Sequence, residues 1–301
     1  MNTSARSSPA RSAAASSPQQ RVISAVIRVA RVTLIAYIVW LVALWFVQDR
    51  MLFLPQVAGI GLTEDAIAAE PRIARRWLAQ DDGVETEAWL VRALPAGRTP
   101  RGLVVFTHGN AELIDHALHE AEQWTQRGYD VLLPEYRGYG RTPGTPGETR
   151  IVADVLAHLD AELAANGARP LVLHGRSLGT GVAAQVAARV AERNDDTRPP
   201  TPIAALILES PFTSIASFAA GYGAPAFIVR NPFRTDHVLP DLACPILILH
   251  AREDEVVPIA HARTLGTLQP RAVVVELDGS HNSGLSADDE YWSAIDHLIG
   301  G

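Results

Sequence analysis

The chain has 301 residues, 26 basic and 33 acidic, with a net charge of −7, 48% apolar and 20% charged residues. That apolar share excludes disorder throughout and supplies a large core, and the acidic balance speaks against a general nucleic-acid binder, which carries a basic face. A single cysteine, Cys244, excludes an internal disulfide and a zinc site built from clustered cysteines.

Charge is unevenly spread. Residues 1–31 carry five Arg and no acid, so the remainder holds −12 once those five are taken from the net −7. Residues 1–21 are rich in Ser, Ala, Pro and Arg without hydrophobic periodicity, and read as a disordered basic tail. Residues 32–47 contain no charge and span roughly 24 Å as a helix, slightly short of a hydrocarbon core about 30 Å thick. Extended back to Val22, with Arg28 and Arg31 reaching the headgroups and Trp45 at the far interface, residues 22–47 read as a single-pass anchor. Trp45–Arg50 offers no small-residue cleavage site for a signal peptide, and the segment is too uniformly apolar for a transit peptide. The arginines before the span place the N-terminus in the cytoplasm by the positive-inside rule, with the remainder outside, periplasmic if bacterial.

Residues 48–69 read as a connector. Arg72–Gln80 and Val84–Ala93 are expected as strands of an antiparallel edge, joined near Asp82-Gly83. From Gly102, apolar runs alternate with helical patterns. The expected strands are Leu103–Thr107, Val131–Pro134, Leu171–His174, Ala204–Leu208, Ile246–His250 and Ala272–Glu276; helices fall near 111–127, 147–165, 178–193, 259–268 and 287–299. This alternation predicts an α/β fold, a mostly parallel sheet with helices on both faces, over residues 70–301.

Gly175-Arg176-Ser177-Leu178-Gly179 follows a strand and precedes an Ala/Val-rich helix. In that context G-x-S-x-G forms a strained turn that exposes the serine hydroxyl, with a helix N-terminus behind it to favour developing negative charge. A hydroxyl needs a base. Such turns are followed along the chain by an acid and then a histidine. His281, in Leu277-Asp278-Gly279-Ser280-His281-Asn282, is the expected base. Asp254 is the expected acid, with Glu253 and Glu255 as close rivals and Glu209 a remoter one. Phe106-Thr107-His108-Gly109-Asn110-Ala111 ends a strand, and the main-chain N–H of Asn110 can pair with that of Leu178 as an oxyanion hole. His108 reads as a packed structural residue. Tyr136, Tyr139 and Phe212 are candidate pocket residues, with packing as the competing role; Ile215–Val229 reads first as plain packing onto the core, with a short cap helix that covers the acyl site or touches the membrane as the competing role. His116 and His119 lack an evident third metal ligand; no cofactor or metal is expected.

These motifs resemble the α/β-hydrolase superfamily over residues 70–300. The chain is more narrowly similar to the membrane-anchored α/β-hydrolase-domain proteins of the Bem-forty-six type. That likeness rests on His108-Gly109-Asn110-Ala111, Glu135-Tyr136-Arg137-Gly138-Tyr139-Gly140, the Ser177 motif, Glu209-Ser210-Pro211-Phe212 and His281-Asn282. It implies Ser177, Asp254 and His281 as a triad, and an N-terminal membrane segment. Two departures stand out: Ala251-Arg252 where relatives usually have Gly after the strand histidine, and Ser280 where Gly often precedes the base.

The sequence therefore predicts a membrane-anchored serine hydrolase acting on an acyl ester or thioester, lipid or soluble, with no nucleic-acid partner. A peptidase or an acyltransferase of the same fold competes with it. So does a catalytically silent membrane-tethered binding protein, against which the intact Ser, acid, His and oxyanion loop argue.

Overall fold

A computed structural model describes residues 17–59, 61–194 and 201–300. The chain divides into two compact units after Phe46. Helix α1 (Pro18–Leu52) carries a window of mean hydropathy 2.1, long and apolar enough to cross a membrane. Most of the expected disordered tail, residues 1–16, lies outside the described residues. Its last part is helical instead. The Gln20 N–H donates to Ser17 Oγ (3.2 Å) and the Ser17 N–H to Gln20 Oε1 (3.0 Å), a reciprocal cap. Pro18 occupies the first helical position, where its missing N–H is not needed.

α1 also outruns the expected span, because Gln48-Asp49-Arg50 contains no helix breaker before Pro55. The expected connector is packed structure: Phe53 and Ala58 are buried, and helix α2 (Glu64–Ala69) buries Ile67 behind a Thr63 cap that accepts the Ala66 N–H.

The second unit, from Val47 onward, contains an eight-stranded sheet in the order β1-β2-β4-β3-β5-β6-β7-β8. The strands are β1 (Ile73–Ala79), β2 (Glu85–Val91), β3 (Gly102–Thr107), β4 (Tyr129–Pro134), β5 (Leu171–Arg176), β6 (Ile203–Glu209), β7 (Ile246–Ala251) and β8 (Val273–Leu277). Every expected strand is present within two residues of its expected ends. β1 and β2 form the antiparallel edge, joined at Gly83 in the left-handed region (φ 81°), with Asp82 Oδ1 accepting the Val84 N–H. β3 through β8 pair in parallel.

Helices α3 (Leu118–Gln126), α4 (Glu148–Asn166), α5 (Leu178–Asn194), α6 (Thr235–Val238), α7 (Ala260–Leu268) and α8 (Asp289–Gly300) complete the unit. Strand side chains alternate between two cores. Leu103, Val105, Leu171, Leu173, Leu206 and Leu208 pack with Ile151, Val155, Val182 and Val186 of α4 and α5. Val104, Phe106, Val172, Ala205 and Ile207 pack with Ala121 and Trp124 of α3 and Tyr291 and Ile295 of α8. Burial on both faces explains why these strands read as unbroken apolar runs.

Two elements differ from expectation. α3 begins at Leu118 and not near residue 111, because a 3-10 turn, Ile114–Ala117, precedes it. The expected cap helix is instead a pair of 3-10 segments, Ile215–Tyr222 and Ala226–Ile228. Gly223 in the left-handed region (φ 64°) and Pro225 end the first segment before an α-helix can propagate.

The parallel register brings the strand ends to one edge: Thr107 lies beside Gly175, Arg176 beside Glu209 and Ala251 beside Leu277. Strand order reverses between β3 and β5, the crevice where such sheets bind ligands.

Trp124 has no exposed surface, and its ring meets Tyr129 and Trp292 edge-on at 5.4 and 5.8 Å. Trp124→Ala is expected to lower stability by about 3–5 kcal/mol. Trp77→Ala, on the half-exposed edge strand, should cost about 1 kcal/mol or less. Chemical denaturation of the detergent-purified protein measures both.

Candidate active site

The turn after β5 carries Ser177 at φ 49°, a left-handed conformation unusual for a side-chain-bearing residue. A Cβ on Gly179 would overlap the Thr107 carbonyl oxygen, and one on Gly175 would overlap the Gly179 carbonyl. Both glycines are thus demanded by close backbone approach. Thr107 Oγ1 donates to the Gly179 carbonyl (2.8 Å), and the Ser177 N–H donates to the Glu209 carbonyl (2.8 Å), tying the turn to β3 and β6.

Ser177 Oγ lies 3.0 Å from His281 Nε2, and His281 Nδ1 lies 2.7 Å from Asp254 Oδ2. The other Asp254 oxygen accepts the main-chain N–H groups of Val256 (3.0 Å) and Val257 (2.7 Å). Burial opposes charge on Asp254, but the hydrogen bonds from His281 and the Val257 amide outweigh it and hold the carboxyl below its ordinary range. The rivals stand elsewhere. Glu255 accepts only the main-chain N–H of His281 (3.3 Å), Glu253 is exposed, and Glu209 is buried against Arg176 and Tyr291.

Neither sequence departure disturbs this arrangement. Arg252 points outward to Asp278, and Ser280 closes its own turn through Ser283 Oγ. His250 was not singled out by sequence. Its buried Nε2 donates to the Val257 carbonyl (2.8 Å), steadying the turn that holds Asp254, and burial lowers its pKa so that it stays neutral.

In the loop after β3, the Gly109 N–H is taken by Glu112 Oε2 (2.8 Å). The Asn110 side chain is also engaged: its amide donates to the Leu52 carbonyl, and its oxygen accepts the Leu54 N–H (3.0 Å) and the Tyr139 hydroxyl (2.7 Å). Only the Asn110 main chain is left to serve the site. Leu178 opens α5, where first-turn N–H groups have no intrahelical partner.

His108 is fully buried, as expected. Its ring stacks on Tyr136 at 3.9 Å, with Nε2 2.9 Å from Glu135 Oε1. Burial opposes its protonation, yet the Glu135 carboxylate raises its pKa overall.

The candidate pocket residues are corrected by their burial. The Tyr136 hydroxyl donates to the His108 carbonyl (2.9 Å), and Tyr139 grips Asn110, so both brace the loop from beneath. Phe212 is 2% exposed and packs over Gly181. The two tyrosine rings are drawn inward by their contacts with His108 and Asn110, and Phe212 by the space over Gly181.

Comparison with known proteins gives the family. A family model described as serine aminopeptidase, S33, matches residues 98–234. The α/β-hydrolase domain-containing protein WAV2 of Arabidopsis thaliana is 30% identical over 273 residues, covering 81% of this chain and 85% of the relative. The chain belongs to the α/β-hydrolase-domain family.

Among the relatives of this hydrolase is the lysophosphatidylserine lipase ABHD12 of Mus musculus, 34% identical over 197 residues. That match covers 60% of the hydrolase and 47% of the relative, so the chain spans about half the length of that lipase. Two solved structures share the fold: the esterase Pf2001 of Pyrococcus furiosus (TM-score 0.60, 17% identity, 80% of this chain and 96% of that one) and Est1E from Butyrivibrio proteoclasticus (TM-score 0.60, 18% identity, 75% and 99%).

Beneath the Ser177 turn the hydrolase buries a polar network that sequence reasoning missed. Arg176 contacts Glu120, Glu209 (3.1 Å) and Glu112 (3.5 Å), and Glu120 also accepts the Ser286 hydroxyl (2.6 Å). Glu209 accepts the Tyr291 hydroxyl (2.8 Å), which lies 2.9 Å from His174 Nε2; His174 Nδ1 in turn accepts the Trp124 N–H (3.1 Å). The available signal was a charged residue ending an otherwise buried strand.

Burial lowers the His174 pKa to about 3, as its acceptor role at Nδ1 requires, and lowers that of His158 to about 4. Between those values and an unfolded pKa of about 6.5, the unfolded chain binds protons that the folded chain refuses. Stability from these groups is therefore full above about pH 6.5 and is lost on acidification. His174 alone should contribute a slope on the order of 1.4 kcal/mol per pH unit. Denaturation of the wild type and His174→Gln across this range checks it: the variant should show the shallower pH dependence.

Proposed function

We propose that this hydrolase is a membrane-anchored enzyme that cleaves carboxylic esters or thioesters through an acyl-enzyme on Ser177. The observation carrying that reading is the continuous relay from Ser177 Oγ through His281 to Asp254, drawn from the segments that follow β5, β8 and β7. His281 Nε2 takes the Ser177 proton as Oγ attacks the acyl carbon, while buried Asp254 fixes the ring tautomer and stabilises the imidazolium. The main-chain N–H groups of Asn110 and Leu178 receive the oxyanion, aided by the α5 N-terminus. On collapse His281 gives the proton to the departing alcohol or thiol. Water then attacks the acyl-enzyme with His281 again as base, releasing the acid and restoring Ser177.

The names of the relatives, a lysophosphatidylserine lipase and two esterases, support an ester over other acyl substrates. The family model's description favours a second reading, peptide hydrolysis by the same residues. Matched ester and anilide substrates separate the two: turnover of the anilide alone would overturn the esterase reading. The apolar helix supports the anchor, and the five preceding arginines support a cytoplasmic N-terminus with the hydrolase unit outside.

A fluorophosphonate probe is expected to label the wild type and not Ser177→Ala; persistent labelling of the variant would remove Ser177 from this role. Asp254→Asn is expected to lower kcat about 10⁴-fold, whereas Glu255→Gln should stay within a few-fold of wild type, measured on one soluble ester. Equal losses in both would overturn the choice of acid.

A further inference from the structure

Phe227 is 85% exposed, and among the described residues no large apolar side chain is more so. It stands in the 3-10 segment Ala226–Ile228, whose foot is firmly attached. The Phe233 N–H donates to Glu148 Oε2 (2.8 Å), and Asn231 Oδ1 accepts the Glu148 N–H (2.8 Å). The Phe233 ring is buried, 6.4 Å from that of Phe53. An aromatic ring held outward on an anchored loop has no packing role in its own fold.

The neighbours of this loop say what covers it. Gln48 Nε2 donates to the Ile228 carbonyl (3.2 Å), and Gln48 Oε1 accepts the Arg230 N–H (2.8 Å), so one side-chain amide clasps the backbone on both sides of Val229. Asp49 accepts from the Asn231 amide (2.8 Å) and pairs with the Arg230 guanidinium (3.1 Å). Gln48 and Asp49 are the first polar residues after the uncharged run 32–47. In a spanning helix these two residues mark the depth at which the chain meets the headgroups. A loop clasped by them is held at that depth by the chain itself.

We propose that the Phe227 loop docks into the interfacial layer of the lipid bilayer, with the aromatic ring among the upper acyl chains. The inference rests on reading α1 as a membrane span. The occupant is lipid because the clasp joins the loop to Gln48 and Asp49, the residues that directly follow the apolar run. Aromatic rings favour that layer. The segment that carries Phe227 is also tied to α7: Phe218 stacks on His261 at 5.1 Å, and His261 Nδ1 accepts the Thr213 N–H (3.2 Å).

The test uses the full chain in vesicles of phosphatidylcholine with a minority of phosphatidylglycerol. Phe227→Cys and, as control, Arg189→Cys on the exposed face of α5 are labelled with a nitrobenzoxadiazole maleimide. Cys244 is half-buried with its thiol pushed up to about 11, so it competes poorly. The label at 227 is expected to shift to the blue, and to be quenched by a lipid carrying a nitroxide high on its acyl chain. The label at 189 should respond only to aqueous iodide. Equal iodide quenching at both positions would overturn the proposal. Shielding at 227 from iodide without quenching by the nitroxide lipid would also overturn it, because a protein surface would then be the cover. Carbonate extraction of the same vesicles separates the two levels. A chain released by carbonate defeats the anchor and the docking together; a retained chain with a water-exposed label at 227 defeats the docking alone. Neither readout depends on esterase activity.

Discussion

Neither glycine flanking Ser177 can accept a side chain, and the site is organised by that shortage of space. β3 and the first turn of α5 touch through Thr107 and Gly179. Thr107 is followed directly by His108-Gly109-Asn110, so this contact fixes the loop after β3 against Ser177. The positive φ at Ser177 is the strained consequence of turning from strand to helix in so few residues. Two parts of the site taken from distant stretches of chain thereby share one steric constraint.

Holding such a turn in place requires a rigid floor. Arg176 provides it by placing a guanidinium among Glu112, Glu120 and Glu209. These carboxylates belong to the loop after β3, α3 and the end of β6, so one cation joins three elements. Burial opposes charge on Glu120, but Arg176 outweighs that and lowers its pKa; at Glu209 burial prevails and the pKa is raised. Buried charge is tolerated here through these pairings, and loss of one partner leaves the others desolvated and uncompensated. Tyr291 and His174 extend the floor to α8 and β5 with neutral hydrogen bonds.

The segment after the apolar run is part of the same construction. Leu52 and Leu54 hydrogen-bond to the Asn110 side chain, and Tyr139 closes the arrangement from below. The loop after β3 is therefore braced on one side by the last residue of α1 and by Leu54 just beyond it. Gln48 and Asp49, in the last turns of the same helix, bind the 228–231 segment.

Much of the fold was legible from local pattern. Strands buried on both faces must be apolar along their length, and helices must carry one apolar face, so their alternation is written in neighbouring residues. The glycine-flanked serine was legible because its geometry is decided within five residues. The basic head, the apolar run and the chain order of serine, acid and histidine are likewise properties of the sequence alone. The choice among Glu253, Asp254 and Glu255 was not, since it depends on how the Val256 and Val257 amides turn the loop beneath His281. Nor was the inward facing of Tyr136, Tyr139 and Phe212, which follows from partners on other elements, His108 and Asn110 for the tyrosines and the space over Gly181 for Phe212. What adjacent residues decide among themselves, the sequence determined; which buried groups meet across the sheet edge, only the tertiary structure could decide, because their partners lie tens of residues away.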